Sequence, residues 1–167
     1  VKKPLVITTF GLGHMRPASG TWGSMPPVFI AGAMIFGGYG PQDSPWVYHS
    51  VLAAILVIFS VACLVQGDAA EAAFGKKDPS QAVADETAGQ CLPLMFLPAH
   101  ALGDAKTTLF TLGLAFVAFR VMDIIKPWPA RSLQRIPGGL GILIDDLFAA
   151  AYALAAVQLA IWIAHRA

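Results

Sequence analysis

The stretch Arg120–Asp146, RVMDIIKPWPARSLQRIPGGLGILIDD, holds more charge and more backbone punctuation than any other part of the chain. Arg120, Asp123 and Lys126 recur every third residue, so on a helix they share one flank, base, acid, base, just before Pro127 and Pro129 stop it. Arg131 and Arg135 follow the Pro-Trp-Pro break. A Pro-Gly-Gly turn at Pro137 and a further Gly141 then lead to the adjacent acids Asp145 and Asp146, which open the last long apolar run, Leu147 to Ala164. Charge set at helix ends on either side of a broken loop predicts an all-α chain: a multi-helical bundle with short or broken helices around an acidic site.

Composition says where such a bundle lives. The 167 residues make a single domain, 1–167, yet 56% are hydrophobic, only 13% are charged, and the mean hydropathy is +0.64. A soluble domain carries about 25% charge, so the bundle is expected to be embedded in a lipid bilayer with its acidic site at the interface. A net charge of +1 gives no field suited to nucleic acid, and nothing points to a protein partner. Cys63 and Cys91 show no metal or disulfide spacing and read as packing residues; His14, His49, His100 and His165 lie in separate regions with no ligand spacing.

Lys2 and Lys3 stand too close to Gly11 for a cleaved leader with its own apolar core. FGLGHMRPASGTWGS, from Phe10 to Ser24, is a Gly-rich polar loop before an apolar segment. Ser24 is placed to cap a helix with Pro26 or Pro27 in its first turn, leaving backbone N–H groups free to face an anion; the plainer reading is an ordinary loop. No Walker lysine follows, which excludes a nucleotide P-loop. Pro26 to Phe36 is apolar but short, and GGYGPQDSP is a turn. Trp46 to Val65 is the strongest span, 20 residues without an ionised side chain. Polarity returns from Gln66 to Gln90, read as helix, turn at Asp78-Pro79-Ser80, and a second helix begun by Ser80. Cys91 to Leu102 and Thr107 to Met122 are apolar again and suggest a helical hairpin.

Two such hairpins bring the N-terminus, residues 66–90 and residues 123–146 to one side. That side holds Lys2, Lys3, Arg16, Lys76, Lys77, Lys126, Arg131 and Arg135, against little but Lys106 and Arg166 opposite, and the positive-inside rule makes it cytoplasmic. Trp128, between two prolines, reads as an interfacial anchor.

Of ten acids, Asp78, Asp85, Glu86, Asp123, Asp145 and Asp146 fall in the polar stretches this topology joins. Crowded hard oxygens suit Mg²⁺, and the lack of nearby His or Cys argues against zinc. The plain alternative is that Asp123 pairs with Arg120 or Lys126, and that Asp145 and Asp146 merely cap the last helix.

The runs GLGHMRPASGTWGS, DPSQAVADETAG, FRVMDIIKPWP and PGGLGILIDD resemble, in order and spacing, the motifs of the phosphatidylglycerophosphatase A family. The resemblance implies a Mg²⁺-dependent phosphatase of the bacterial inner membrane, with its site facing the cytoplasm, that removes the terminal phosphate of phosphatidylglycerophosphate to leave phosphatidylglycerol. Carried over, the family's acids are Asp85, Glu86, Asp123, Asp145 and Asp146, expected to hold one or two Mg²⁺. Arg120 and Lys126 are expected to clamp the phosphate, with Thr21, Ser24 and nearby N–H groups cradling it. Ala149, Ala150 and Ala151 stand where the family has a glycine soon after its Asp-Asp pair. No Cys-x5-Arg and no Asp-x-Asp after a strand is present, which disfavours a covalent phospho-enzyme. Two other readings stay open: a small membrane transporter or cation-binding protein, which needs acids inside the spans, and a compact soluble or peripheral helical domain with the same acids.

Overall fold

The computed structural model describes residues 5–166, and among these it contains no strand. Six helices follow in order: α1 (Ser19–Phe36), α2 (Pro45–Phe74), α3 (Ala84–Met95), α4 (Ala105–Ile125), α5 (Ala130–Leu133) and α6 (Gly139–Arg166). Helices α2, α4 and α6 are long and apolar enough to cross a membrane. At about 1.5 Å per residue their 30, 21 and 28 residues exceed or match a ~30 Å hydrocarbon core. Their outward faces are apolar, with Val57, Ile58, Val61, Leu64 and Val65 on α2 and Leu109, Phe110, Val117 and Val121 on α4 all exposed. A continuous apolar exterior of this kind is a lipid-facing surface.

Helix α3 is the pivot. It packs against α1, α2, α4 and α6, and most of its residues, Asp85 included, are buried. Its 12 residues reach only ~18 Å, so Cys91 to Leu102 is no half of a crossing hairpin: α3 stops at Met95, and a 3-10 turn over Ala99–Leu102 leads into α4. Buried on every side, this short helix needs no lipid-spanning length. The expected start at Ser80 also shifts, because Pro79 and Ser80 belong to the turn, and the carbonyl of Ile7 accepts from the N–H groups of Val83 and Ala84 at 2.9 and 3.1 Å. The N-terminal loop thus caps α3. Thr87 continues the tie, with its hydroxyl 2.8 Å from that of Thr9 and donating to the Gly23 carbonyl at 2.7 Å.

Residues 66–74 are not a separate helix but the last turns of α2. Where α2 passes α6 the backbones touch: a Cβ on Gly67 would lie 2.6 Å from the Gly139 nitrogen, and one on Gly139 would lie 2.8 Å from the Leu64 Cα. Only glycine permits that approach.

One end of the bundle gathers residues 5–20, the ends of α2 and α4, and the starts of α1, α3 and α6. The other end gathers residues 37–45 and 95–104 with the end of α6, joined by Tyr48 Oη donating to the Leu94 carbonyl at 2.9 Å. Arg16, Lys76, Lys77, Lys126, Arg131 and Arg135 lie at the first end, Lys106 and Arg166 at the second; Lys2 and Lys3 lie outside the described residues. Among the described residues, the charges that the sequence places together do gather at one end.

Candidate active site

At the first end α3, α4 and α6 converge on a pocket of about 370 Å³ whose lining includes Gly20, Asp85, Glu86, Arg120, Asp123 and Lys126, with Asp146 at its floor. Each helix delivers its charge by local geometry. Asp85 and Glu86 occupy the first turn of α3, where the helix dipole favours carboxylates. Arg120 and Asp123 lie one turn apart on α4. Lys126 follows its last turn with φ +47°, a left-handed cap whose N–H bonds the Met122 carbonyl at 2.8 Å before Pro127 ends any continuation.

Asp145 and Asp146 do not cap α6. The helix begins at Gly139, so the pair lies two turns inside it and nearly inaccessible. A run of Gly-Leu-Gly-Ile-Leu-Ile is helical here because Gly139 and Gly141 are clamped against Cys63 and Ile136, positions where a Cβ would be 2.7 Å from a backbone carbon. That removes the capping half of the plain alternative. Its other half is present: Arg120 Nη1 is 2.8 Å from Asp123 Oδ2, and Lys126 Nζ is 3.7 Å from Asp123 Oδ1.

The acids therefore divide. Asp123 and Asp145 are held by cations, Asp145 by a direct bond to Lys126. Asp85, Glu86 and Asp146 instead bring one carboxylate oxygen each within 4.8 Å of one another. Asp85 Oδ1, Glu86 Oε2 and Asp146 Oδ2 are buried with no hydrogen-bond partner, as is Asp145 Oδ1, and Asp146 Oδ1 also lies 3.7 Å from Lys126 Nζ. Buried carboxylate oxygens left bare are costly, and three converging from two helices make a donor set of the hard-oxygen kind that a divalent cation accepts. The residues fit Mg²⁺. Burial, reinforced by Glu86 and Asp146, raises the Asp85 carboxyl well above the usual range. Burial and the Asp123 charge push Glu86 up to about 7 against the pull of Arg120. Burial works against the Lys126 ammonium, but Asp146, Asp145 and Asp123 outweigh it and hold the charge more firmly than usual.

The first loop enters differently from expectation. Ser24 is no N-cap: α1 starts at Ser19, and the Ser24 hydroxyl donates to the Gly20 carbonyl at 2.8 Å and accepts from Arg120 Nη1 at 3.4 Å. It supports the guanidinium from behind. Thr21 does not line the pocket. Sequence reasoning passed over Gly20, where a Cβ would overlap the Glu86 carboxylate and lie 2.8 Å from Arg120 Nη2, and over Gln134; Asp78, counted there among the six acids but given no role, closes the rim with it through Gln134 Nε2 donating to Asp78 Oδ2 at 2.7 Å. Asp78 and Gly20 stood inside quoted motifs, but nothing in their spacing marked a rim or a close approach.

The profile of the family described as Phosphatidylglycerophosphatase A matches residues 5–161. The chain belongs to the phosphatidylglycerophosphatase A family. It is similar to the phosphatidylglycerophosphatase A of Haemophilus influenzae, 32% identical over 92% of this chain and 85% of the relative. The phosphatidylglycerophosphatase A of Escherichia coli is 32% identical over 87% of this chain and 75% of the relative. A Bacteroides thetaiotaomicron protein provisionally named a phosphatidylinositol-3-phosphatase is 31% identical over 95% of this chain and 93% of the relative. No solved structure matches the chain. As a member of the phosphatidylglycerophosphatase A family it is a phosphatase, and its charged pocket opens at the end of the bundle where the apolar helices finish.

Proposed function

We propose that this chain hydrolyses the terminal phosphomonoester of phosphatidylglycerophosphate, giving phosphatidylglycerol and inorganic phosphate, in a Mg²⁺-dependent reaction at the cytoplasmic face of a bacterial inner membrane. The observation that carries the reading is the meeting of three carboxylates, each with one buried unpartnered oxygen, with a paired Arg120 and Lys126 at one end of a lipid-exposed bundle. Asp85, Glu86 and Asp146 would hold the metal, with Asp123 and Asp145 fixing the two cations around it. Bound there, Mg²⁺ supplies neutralisation of the phosphoryl oxygens and a more acidic water, the two needs of a very slow uncatalysed hydrolysis.

The chain's own groups do the rest. Arg120 is oriented by Asp123 and Ser24 and so presents a rigid fork to phosphate oxygens. Lys126 stays protonated and adds a point charge where negative charge develops on the phosphoryl group. A carboxylate not taken up by the metal would accept the proton of an attacking water. The acyl chains would lie along the apolar outer faces. Seven described cations at the site end support the cytoplasmic side, Arg16, Arg120 and Lys126 among them. A transporter is disfavoured because no acid occupies the middle turns of α2, α4 or α6.

The name of the Bacteroides relative supports a second substrate, an inositol lipid monoester. Phosphate release from both lipids by purified protein in detergent, with Mg²⁺ and with chelator, decides. Release from phosphatidylglycerophosphate that needs Mg²⁺ is expected; release only from the inositol lipid, or full activity in excess chelator, overturns the corresponding part.

A further inference from the structure

Beside the acidic pocket lies a second groove of about 480 Å³, lined by Lys76, Lys77, Asp78, Arg131, Gln134 and Arg135. Two separate segments build it. The loop after α2 supplies the lysines, and α5 with the turn behind it supplies the arginines. Lys77 Nζ donates to the Arg135 carbonyl at 2.8 Å and ties the walls together. Asp78 and Gln134 line both groove and pocket, so their hydrogen bond is a sill between the two. Among the described residues every ion pair involves Arg120 or Lys126, and none involves Lys76, Lys77, Arg131 or Arg135. Unpaired surface cations are commonplace. Four converging from two segments onto one concavity, against a single acid already bonded to Gln134, make a seat for an anion.

We infer that this groove seats a second phosphate, the phosphodiester of the lipid substrate, while the monoester occupies the acidic pocket; the inference rests on the phosphatase reading above. A phosphodiester carries one fixed negative charge and is not cut, so it suits Lys and Arg contacts set apart from the acids. Both lipids named for the relatives contain such a diester between diacylglycerol and head group. The groove reads what they share and selects a phospholipid monoester over a soluble phosphomonoester, using binding energy remote from the reacting bond. Anionic lipid of the surrounding bilayer offers the same chemistry, and the test separates the two sources.

The test measures KM and kcat on short-chain phosphatidylglycerophosphate in neutral-detergent micelles, which hold no other anionic lipid. It compares the wild-type chain, Arg131→Gln/Arg135→Gln and Arg131→Lys/Arg135→Lys, with Lys76→Gln probing the opposite wall. The Gln pair should raise KM about tenfold or more and leave kcat within about twofold, and the Lys pair should stay near wild type. Competitive inhibition by phosphatidylglycerol, which has the diester alone, should weaken by the same factor, and inhibition by inorganic phosphate should not change. Unaltered KM and phosphatidylglycerol inhibition in a folded Gln pair overturns the inference. So does a defect confined to vesicles containing anionic lipid, which assigns the groove to the membrane surface. If the wild-type chain releases no phosphate, the phosphatase reading fails; calorimetric titration of phosphatidylglycerol into wild type and the Gln pair then decides the groove alone.

Discussion

Arg120 Nη1 lies 2.8 Å from Asp123 Oδ2, one turn along α4, while the same nitrogen is 4.0 Å from Glu86 Oε1 on α3. The guanidinium therefore leans on Asp123 and only borders the cluster of Asp85, Glu86 and Asp146. This separates the roles of the five carboxylates and sets the order in which substitutions should hurt.

Removing charge at the cluster should be the most damaging change. Asp85→Asn, Glu86→Gln and Asp146→Asn keep shape and lose a ligand charge, so turnover should fall by roughly two or more orders of magnitude and Mg²⁺ should bind more weakly. Asp123→Asn loosens Arg120 and should cost roughly tenfold to a hundredfold with metal binding retained. Asp104→Asn should be silent, because Asp104 caps α4 at the far end through the N–H groups of Lys106 and Thr107, and Asn caps equally well. Phosphate release and Mg²⁺ titration on each folded variant check this; near-native turnover in Asp146→Asn would refute the assigned cluster.

Gly20→Ala tests the close approach. The added methyl needs space held by the Glu86 carboxylate and the Arg120 guanidinium, so one of them must move. Turnover should drop about tenfold or more, while melting in detergent, governed by the distant core around Tyr48, Leu52 and Leu112, changes little. An Ala variant with wild-type kcat and KM would mean that the two groups are not needed where they lie.

Glu86 and Asp85 give the metal-free protein a definite pH trend. The folded-state pKa of Glu86, about 7, exceeds its reference value of 4.5, and Asp85 is displaced in the same direction. The fold therefore prefers the protonated acids. For Glu86 the contribution to stability is complete below about 4.5 and is lost as pH rises through about 7, and Asp85 acts in the same direction. In chelator the melting temperature should fall between pH 5 and pH 8. With excess Mg²⁺ the slope should flatten or reverse, since binding requires the ionised acids. A chelated protein that melts higher at pH 8 than at pH 5 would contradict the burial of these groups.

Topology is open to labelling. Cysteines placed next to Lys76 and at Gln134 should react from the same side of the membrane, because both residues line one groove. A cysteine at Gly38 or Gly103 should react from the other, at the far end of α1 and before α4. Labelling of Lys76 and Gln134 from opposite sides would break the bundle's arrangement.

The charged half of the site was legible because its spacing was local. Arg120, Asp123 and Lys126 recur with a helical period before a double proline, and the structure keeps them as one flank. The long spans were equally plain from composition. What was hidden depended on partners distant in sequence. Ser24 looked like a helix start because Pro26 and Pro27 suit a first turn, yet α1 begins at Ser19 and carries both prolines inside it, beside a loop held by Thr9 and Thr87. Asp145 and Asp146 looked like caps because glycine-rich sequence discourages helix; the close contacts of Gly139 with α2 and of Gly141 with Ile136 override the local preference. Helix α3 looked like part of a span because it is apolar, and its short length reflects burial among neighbours.

The glycine contact between α2 and α6 reaches further than packing. Gln66 and Asp68 flank Gly67, and Leu140 follows Gly139, so a slip of one residue along the axis would drive a side chain into backbone. The contact works as a dowel. When the bilayer thins or thickens, single helices commonly adjust by sliding or tilting on their own; here α2 and α6 must tilt together. Changes in lipid thickness should therefore reorient the whole bundle while leaving the spacing of Asp85, Glu86 and Asp146 untouched.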